Sequence, residues 1–136
     1  LRFAEGLGMD RREAMTAEAR PETTACVRAF LALTRDADPA RGLAALYAYE
    51  SQLPAVSATK LDGLARFYGV TDARGRAFFE VHREADEWHS ASERAALLAL
   101  AREPESREKV KASARAACDA VWKLLDGVVE ARGIHC

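Results

Sequence analysis

Apolar residues recur every three or four positions along most of the chain, and the strict alternation that is typical of strands is absent. Alanine is abundant and β-branched residues are sparse, which favours helices over strands. The pattern therefore predicts an all-α fold. After a short stretch at 2–7 that reads like the end of a helix, the predicted helices cover about 11–18, 21–35, 39–53, 58–68, 73–101 and 104–132.

Local signals predict where these helices begin and end. Asp10 and Asp72 precede helical patterns and are typical N-caps, because a carboxylate can accept hydrogen bonds from the first free backbone N–H groups. Pro54 is expected to stop the helix before it, and Ser57 to cap the next one. A bend is expected at 90–92, where two serines flank an alanine and a second capped, apolar-periodic stretch begins.

Length and composition indicate one globular domain, 1–136. Hydrophobic residues make up 49% and charged residues 30% of the 136 residues, and the formal net charge is -1. Such a balance gives no basic footprint for nucleic acid, and no apolar run reaches the ~20 residues that span a bilayer. Three cysteines, an odd number, argue against a disulfide framework and for a reducing compartment. We therefore expect a cytoplasmic protein with no nucleic-acid partner and no membrane partner.

The residues with most chemical information are His82, Asp86 and His89. Their spacing of i, i+4 and i+7 keeps the three side chains within roughly a 60° arc of one helix face. Two imidazoles and a carboxylate are ligands that iron, manganese and zinc accept. A useful site needs a further ligand from another helix, and Glu50, in an otherwise apolar and aromatic stretch, is the best candidate.

Structural alternatives remain open for each of these residues. Helical histidines are commonly surface residues or hydrogen-bonded core residues, and Glu50 also fits a structural ion pair or a carboxylate on a helix surface. The large apolar residues nearby are expected in the core rather than around a cofactor. This expectation covers Phe78, Phe79, Trp88, Trp122, Leu124, Leu125 and Val128.

Three segments carry a resemblance to a known superfamily. They are 46–54 (LYAYESQLP), 60–64 (KLDGL) and 78–90 (FFEVHREADEWHS). In content and separation they resemble the haem-oxygenase-like diiron oxidases, a helical-bundle fold that also houses PqqC-like and TenA-like proteins. Within that superfamily the chain is most similar to the CADD-like branch, the self-sacrificing para-aminobenzoate synthases of folate biosynthesis.

The resemblance implies roles for six residues of this chain. Lys60 matches a lysine that supplies the amino group of the product, and Tyr49 matches a tyrosine that lines the site. Both are therefore expected to be catalytic. The implied cofactors are two metal ions, iron or an iron–manganese pair, with dioxygen as co-substrate and a small-molecule or self-derived substrate. The implied metal ligands are Glu50, His82, Asp86 and His89.

The chain also departs from the family pattern. Further Glu and His ligands, and the tyrosine consumed as precursor, would lie upstream of Leu1, so the sequence reads as a bundle that is incomplete at its N-terminus. We expect such a chain to self-associate, as a homodimer. One alternative is a metal-independent PqqC-like oxidase or TenA-like protein that uses His82 and His89 as acid–base groups. Another is a catalytically incomplete fragment that acts as an interaction module.

Overall fold

A computed structural model of the chain describes residues 1–134, and these residues form helices and no strand. The all-α prediction is therefore confirmed for the described part of the chain. None of the helices in that part is long and apolar enough to cross a membrane. The helices are α1 (Arg2–Gly6), α2 (Arg11–Thr16), α3 (Pro21–Thr34), α4 (Pro39–Glu50), α5 (Leu53–Tyr68), α6 (Ala73–Leu100) and α7 (Pro104–Arg132).

Most helix ends follow from the capping chemistry that the sequence predicts. Asp10 Oδ1 accepts hydrogen bonds from the backbone N–H groups of Arg12 and Glu13, at 2.8 and 3.1 Å. Asp72 Oδ1 accepts one from Gly75, at 2.8 Å. These carboxylates satisfy backbone donors that have no partner inside their helices, so both predicted N-caps are confirmed.

The boundary between α4 and α5 differs from the prediction. Helix α4 already ends at Glu50, and α5 begins at Leu53 with Pro54 in its first turn. A proline is well tolerated there because backbone N–H groups of the first turn have no helical partner to lose. Ser57 is consequently an interior residue of α5 rather than its cap, and it is buried with 1% of its surface exposed.

Helix α6 is continuous from Ala73 to Leu100, so the expected bend at 90–92 is wrong. Serine and alanine both keep their backbone N–H groups, and nothing in this stretch removes a hydrogen bond from the helix. The apolar-periodic stretch that followed the serines is simply the continuation of the same helix.

The chain divides into two compact units. The first unit comprises Leu1–Glu18 and Glu50–His89, and the second comprises Ala19–Tyr49 and the chain from Ser90 onward. The single domain that the sequence indicates for 1–136 stays a prediction.

In the first unit, α1 crosses the start of α6 at close range. A Cβ atom added at Gly6 would lie 2.5 Å from the Cα atom of Gly75, so glycine is required for this approach. The ring of Phe3 meets the ring of Phe79 edge-on, with the centroids 5.2 Å apart. Contacts between backbones and between rings therefore hold α1 against α6.

Glu5 links α1 to its two neighbours in the first unit. Its carboxylate accepts hydrogen bonds from the guanidinium groups of Arg11 and Arg74. Desolvation acts to raise the pKa of Glu5, but the hydrogen bonds and charges of the two arginines outweigh it and lower the pKa below the ordinary value. The charge of Glu5 thus stabilises the start of the unit across the neutral pH range.

In the second unit, α3 packs along α7, and the core is built around Leu33, Ala45 and Ala117. Ala45 is fully buried and Ala117 is 1% exposed. Such small residues let helix backbones approach closely, and Phe30 packs against the same cluster.

Several residues that were expected in the core are exposed. Trp122 is 65% exposed, because it lies five residues after Ala117 and hence about 140° away around α7. Leu125, Val128, Phe78 and Trp88 are also exposed large hydrophobic residues. The fully buried residues of α7 are the small residues Ser113, Ala117 and Gly127.

Candidate metal centre

Three of the predicted ligands converge in the first unit. Glu50 is the last residue of α4, while Asp86 and His89 lie one turn apart on α6. His89 Nδ1 is 3.3 Å from Glu50 Oε2 and 3.3 Å from Asp86 Oδ1. One ligand atom from each residue lies within 4.8 Å of the other two. Glu50, which precedes Asp86 by 36 residues, therefore joins Asp86 and His89 in one compact cluster.

The carboxylate of Asp86 is the unusual member of this cluster. Asp86 is only 2% exposed, and within residues 1–134 its buried Oδ2 atom has no hydrogen-bond partner. A buried carboxylate oxygen without a partner costs substantial free energy unless a cation or a donor compensates the lost hydration. A cation beside Asp86 Oδ2 would offset this free-energy cost.

The His89 imidazole alone cannot offset the free-energy cost of burying the carboxylates. A protonated Nδ1 atom has one N–H group, which can donate fully to only one of the two carboxylates that lie 3.3 Å away. Two ionised carboxylates and a neutral imidazole would leave the cluster with two negative charges. A divalent cation would neutralise them.

The donor atoms of the cluster also suit a transition metal. Two carboxylate oxygens and an imidazole nitrogen are a set that iron, manganese and zinc accept. Ligand atoms at about 2.1 Å from one ion stand about 3 Å apart, close to the 3.3 Å separations observed here. The residues therefore fit a metal ion in both chemistry and spacing.

The fourth predicted ligand, His82, lies outside this cluster. Its ring stacks on Phe78 with the centroids 4.1 Å apart, and its Nδ1 atom is 2.7 Å from the Phe78 carbonyl oxygen. Because a carbonyl oxygen only accepts, Nδ1 must donate, and the lone pair of Nε2 remains available. Metal-binding histidines commonly hold such a second hydrogen bond, and the ligand role of His82 stays a prediction.

The two predicted catalytic residues are not members of this three-residue cluster. Lys60 is exposed on α5. It lines a cavity of about 530 Å³ in the first unit. Tyr49 belongs to the second unit, where its ring meets Phe30 edge-on at 5.9 Å. The structure thus unites three of the six predicted site residues, and the roles of Lys60 and Tyr49 stay predictions.

Ser57 is a buried polar residue of the first unit whose position the sequence reading missed. Its hydroxyl oxygen has no hydrogen-bond partner within residues 1–134. A signal was available, because Leu53, Leu61 and Leu64 precede and follow Ser57 by four, four and seven residues. That spacing places the serine on the apolar face of α5, where a capping role is excluded.

The sequence pattern of a family described as iron-containing redox enzymes matches residues 1–122 of the chain. The chain belongs to this family. The family is an all-α, haem-oxygenase-like one, in agreement with the helices observed. The candidate donor set of Glu50, Asp86 and His89 lies within the matched segment.

Curated relatives of this chain share one name. The 4-aminobenzoate synthase of Nitrosomonas europaea is 45% identical over 128 residues, which are 94% of this chain and 52% of the relative. The 4-aminobenzoate synthase of Chlamydia muridarum is 33% identical over 135 residues, 98% of this chain and 56% of the relative. That of Chlamydia pneumoniae is 35% identical over 127 residues, 93% and 56% of the two chains. The chain therefore spans about half the length of these curated relatives.

Proposed function

We propose that this chain carries the metal-binding part of an oxidase that forms 4-aminobenzoate with two metal ions, iron or an iron–manganese pair, and dioxygen. The observation that carries the proposal is the buried Asp86 carboxylate with an unpartnered oxygen, clustered with Glu50 and His89. The family match supports iron, and the names of the relatives support the product.

Glu50, Asp86 and His89 would hold one ion, with His82 as a further ligand through its Nε2 atom. Bound iron supplies redox chemistry and open coordination positions for dioxygen. The carboxylates of Glu50 and Asp86 would offset the charge of the cation. The Phe78 carbonyl oxygen accepts a hydrogen bond from His82 Nδ1 and so orients the imidazole ring. Burial of Asp86 keeps water away from one side of the cluster.

A dinuclear centre needs more ligands than these four side chains offer. We propose that the others come from a longer chain or from a second copy in a homodimer. Lys60 is proposed to contribute the amino group of the product, and Tyr49 to line the site. The substrate is a small molecule or part of the protein itself, and the compartment is the cytoplasm.

A second candidate function follows from the same geometry. Because His89 Nδ1 lies 3.3 Å from both Glu50 and Asp86, an imidazole paired with a carboxylate would also serve as a general acid–base group without metal. In that case the chain would resemble the metal-independent PqqC-like or TenA-like proteins. Metal content separates the two candidates.

The test is elemental analysis after anaerobic loading with ferrous iron and desalting. The proposal expects at least one iron per chain, and about two where further ligands are supplied by a dimer. Asp86→Asn should lose the iron. Asp62→Asn is the matched control, because Asp62 is an exposed carboxylate on α5 that pairs with Arg66 at 3.1 Å. Failure of the wild-type chain to retain iron would favour the acid–base candidate.

A further inference from the structure

The second unit contains a cavity of about 350 Å³ where α4, the C-terminal part of α6 and the first turns of α7 meet. Its lining includes Tyr47, Arg94, Leu97, Leu98, Arg107 and Val110, and it is called the arginine cavity below. None of these residues belongs to the candidate metal centre. We propose that the arginine cavity binds an aliphatic phosphate monoester, with the phosphate at the arginines and a short alkyl chain along the leucine and valine side chains.

The charge of the lining is the first argument for an anionic ligand. Arg94, Arg107 and Lys111 line the arginine cavity, and no aspartate or glutamate of the described residues does so. Another cavity of the same unit, of about 460 Å³ between α3 and α7, is lined by one lysine and three acidic residues. The arginine cavity is therefore electropositive, although the whole chain has a formal net charge of -1.

Two of the three cations have no carboxylate beside them. Lys111 Nζ pairs with Glu108 Oε1 at 2.7 Å, which offsets its charge. Arg107 donates its hydrogen bonds to backbone carbonyl groups, and within residues 1–134 Arg94 makes no ion pair. A phosphate monoester carries about −1.5 to −2 charges at pH 7, so it matches two uncompensated arginines better than a carboxylate with one charge does.

Backbone carbonyl groups hold one of these arginines in place. Arg107 Nε donates to the carbonyl oxygen of Ala101 at 3.1 Å, and Arg107 Nη2 donates to that of Arg102 at 2.9 Å. These two bonds leave both N–H groups of Nη1 available for an oxyanion. A guanidinium that is already ordered loses less conformational entropy on binding, so the contact with a phosphate costs less free energy.

The walls of the arginine cavity favour an aliphatic chain. Leu97 is 8% exposed and Leu98 is 63% exposed, so the apolar surface runs from the interior of the unit to the solvent. Apart from Tyr47, the lining contains no aromatic side chain. The volume lies near the lower end of the range of small-molecule sites, about 300–1,000 Å³, which suits a short chain. Each methylene group removed from water there should strengthen binding about fourfold.

The experiment is a calorimetric titration of the metal-free chain with hexyl phosphate. Inorganic phosphate, which lacks the alkyl chain, and hexanol, which lacks the charge, are the ligand controls. We expect hexyl phosphate to bind at least about tenfold more tightly than either control. Arg94→Gln should weaken the binding of hexyl phosphate about tenfold. Arg28→Gln, which removes an exposed arginine of α3 outside the lining, should leave binding unchanged.

A second pair of variants tests the apolar wall. Leu98→Ser should weaken the binding of hexyl phosphate about fivefold and leave that of inorganic phosphate unchanged. Leu100→Ser is the matched control, because Leu100 is 47% exposed and lies outside the lining, and it should change neither. Both leucines are exposed, so the helical circular dichroism signal should be retained in both variants.

Three outcomes of these titrations would overturn the proposal. They are no binding of hexyl phosphate by the wild-type chain, equal binding of hexyl phosphate and hexanol, and equal binding by the wild-type chain, Arg94→Gln and Leu98→Ser. The arginine cavity contains no candidate metal ligand, and the titration needs neither metal nor turnover. Its result is therefore independent of whether the chain is part of an oxidase.

Discussion

Two buried serines show how the two units differ. Ser57 on α5 of the first unit and Ser113 on α7 of the second unit are each 1% exposed. The Ser113 hydroxyl oxygen accepts a hydrogen bond from Arg41 Nε at 3.2 Å, whereas within residues 1–134 the Ser57 hydroxyl has no partner. The same residue type at the same burial is thus satisfied in one unit and unsatisfied in the other.

The units also differ in what fills their interiors. The second unit packs small residues such as Ala45 and Ala117 around Leu33. The first unit holds the Asp86 carboxylate with its unpartnered oxygen, which clusters with Glu50 and His89. Polar groups without partners lower stability, and proteins tolerate them where chemistry requires them. The first unit therefore carries the candidate metal site, whereas the core of the second unit is built mainly from small apolar side chains.

The largest expected effect tests the packing of the second unit. Ala45→Leu inserts three carbon atoms beside Leu33 and Ala117, where Ala45 has no exposed surface. Overpacking of this kind costs about 3 kcal/mol in the free energy of unfolding. Urea denaturation measures it, with Ala95→Leu on the exposed face of α6 as the matched control, which should change stability by less than about 0.5 kcal/mol. Equal effects of the two variants would contradict a close-packed second unit.

The next effect tests the carboxylate of the first unit. Asp86→Asn replaces a buried, partly unpaired charge by a neutral amide of the same shape. We expect the metal-free chain to gain about 2 kcal/mol in the free energy of unfolding, because the amide is cheaper to desolvate. The same variant should no longer be stabilised by ferrous iron.

Thermal unfolding with and without ferrous iron provides the measurement for Asp86→Asn. Asp62→Asn, in which the exposed partner of Arg66 is neutralised, should leave both unfolding temperatures nearly unchanged. A loss of stability of the metal-free Asp86→Asn chain would show that this carboxylate is a structural partner, and the distinction between the units would weaken.

Substitution of the two buried serines should give smaller effects on stability, and the two effects should be opposite in sign to each other. Ser57→Ala removes a hydroxyl without a partner and should leave stability unchanged or raise it by about 1 kcal/mol. Ser113→Ala removes the acceptor of Arg41 Nε and should lower stability by about 1 kcal/mol. Urea denaturation of both variants under one condition measures the difference, and equal signs would contradict the contrast.

Much of this fold was predictable because its signals are local. The caps at Asp10 and Asp72 act through backbone groups two or three residues away, and the last helix covers Pro104–Arg132, as predicted. Pro54 misled the prediction, because a proline that stops one helix is also suited to the first turn of the next. That choice depends on packing, which local sequence does not contain.

The candidate site was predictable to the extent that helix geometry and family resemblance specify it. The spacing of Asp86 and His89 places both on one helix face, and the structure brings Glu50 to them. The rotamer of His82, whose Nδ1 bonds the Phe78 carbonyl, depends on ring stacking that no spacing rule describes. The prediction that the aromatic residues are buried was wrong for a related reason. Periodicity identifies an apolar face of a helix, but not whether a neighbouring helix covers that face.

The smallest expected effect concerns the surface of the second unit. Glu105, in the first turn of α7, pairs with Lys109 at 2.8 Å. The hydrogen bond and the charge of Lys109 lower the pKa of Glu105 below 4.5, and those of Glu105 raise the pKa of Lys109 above 10.5. The contribution of Glu105 to stability is thus present above pH 4.5 and is lost as the pH falls through its lowered pKa.

The pH dependence of this pair follows from both shifts. The contribution of Lys109 is present below pH 10.5 and is lost as the pH rises through its raised pKa, so the pair is intact at every pH between the two values. A double-mutant cycle of Glu105→Gln and Lys109→Gln, followed by urea denaturation, should give a small coupling that is constant from pH 6 to 9. It should vanish in acid well below pH 4.5. Because the cycle cancels the interaction of Glu105 alone with the N-terminus of α7, a coupling that survived in acid would show that the pair does not act through its charges.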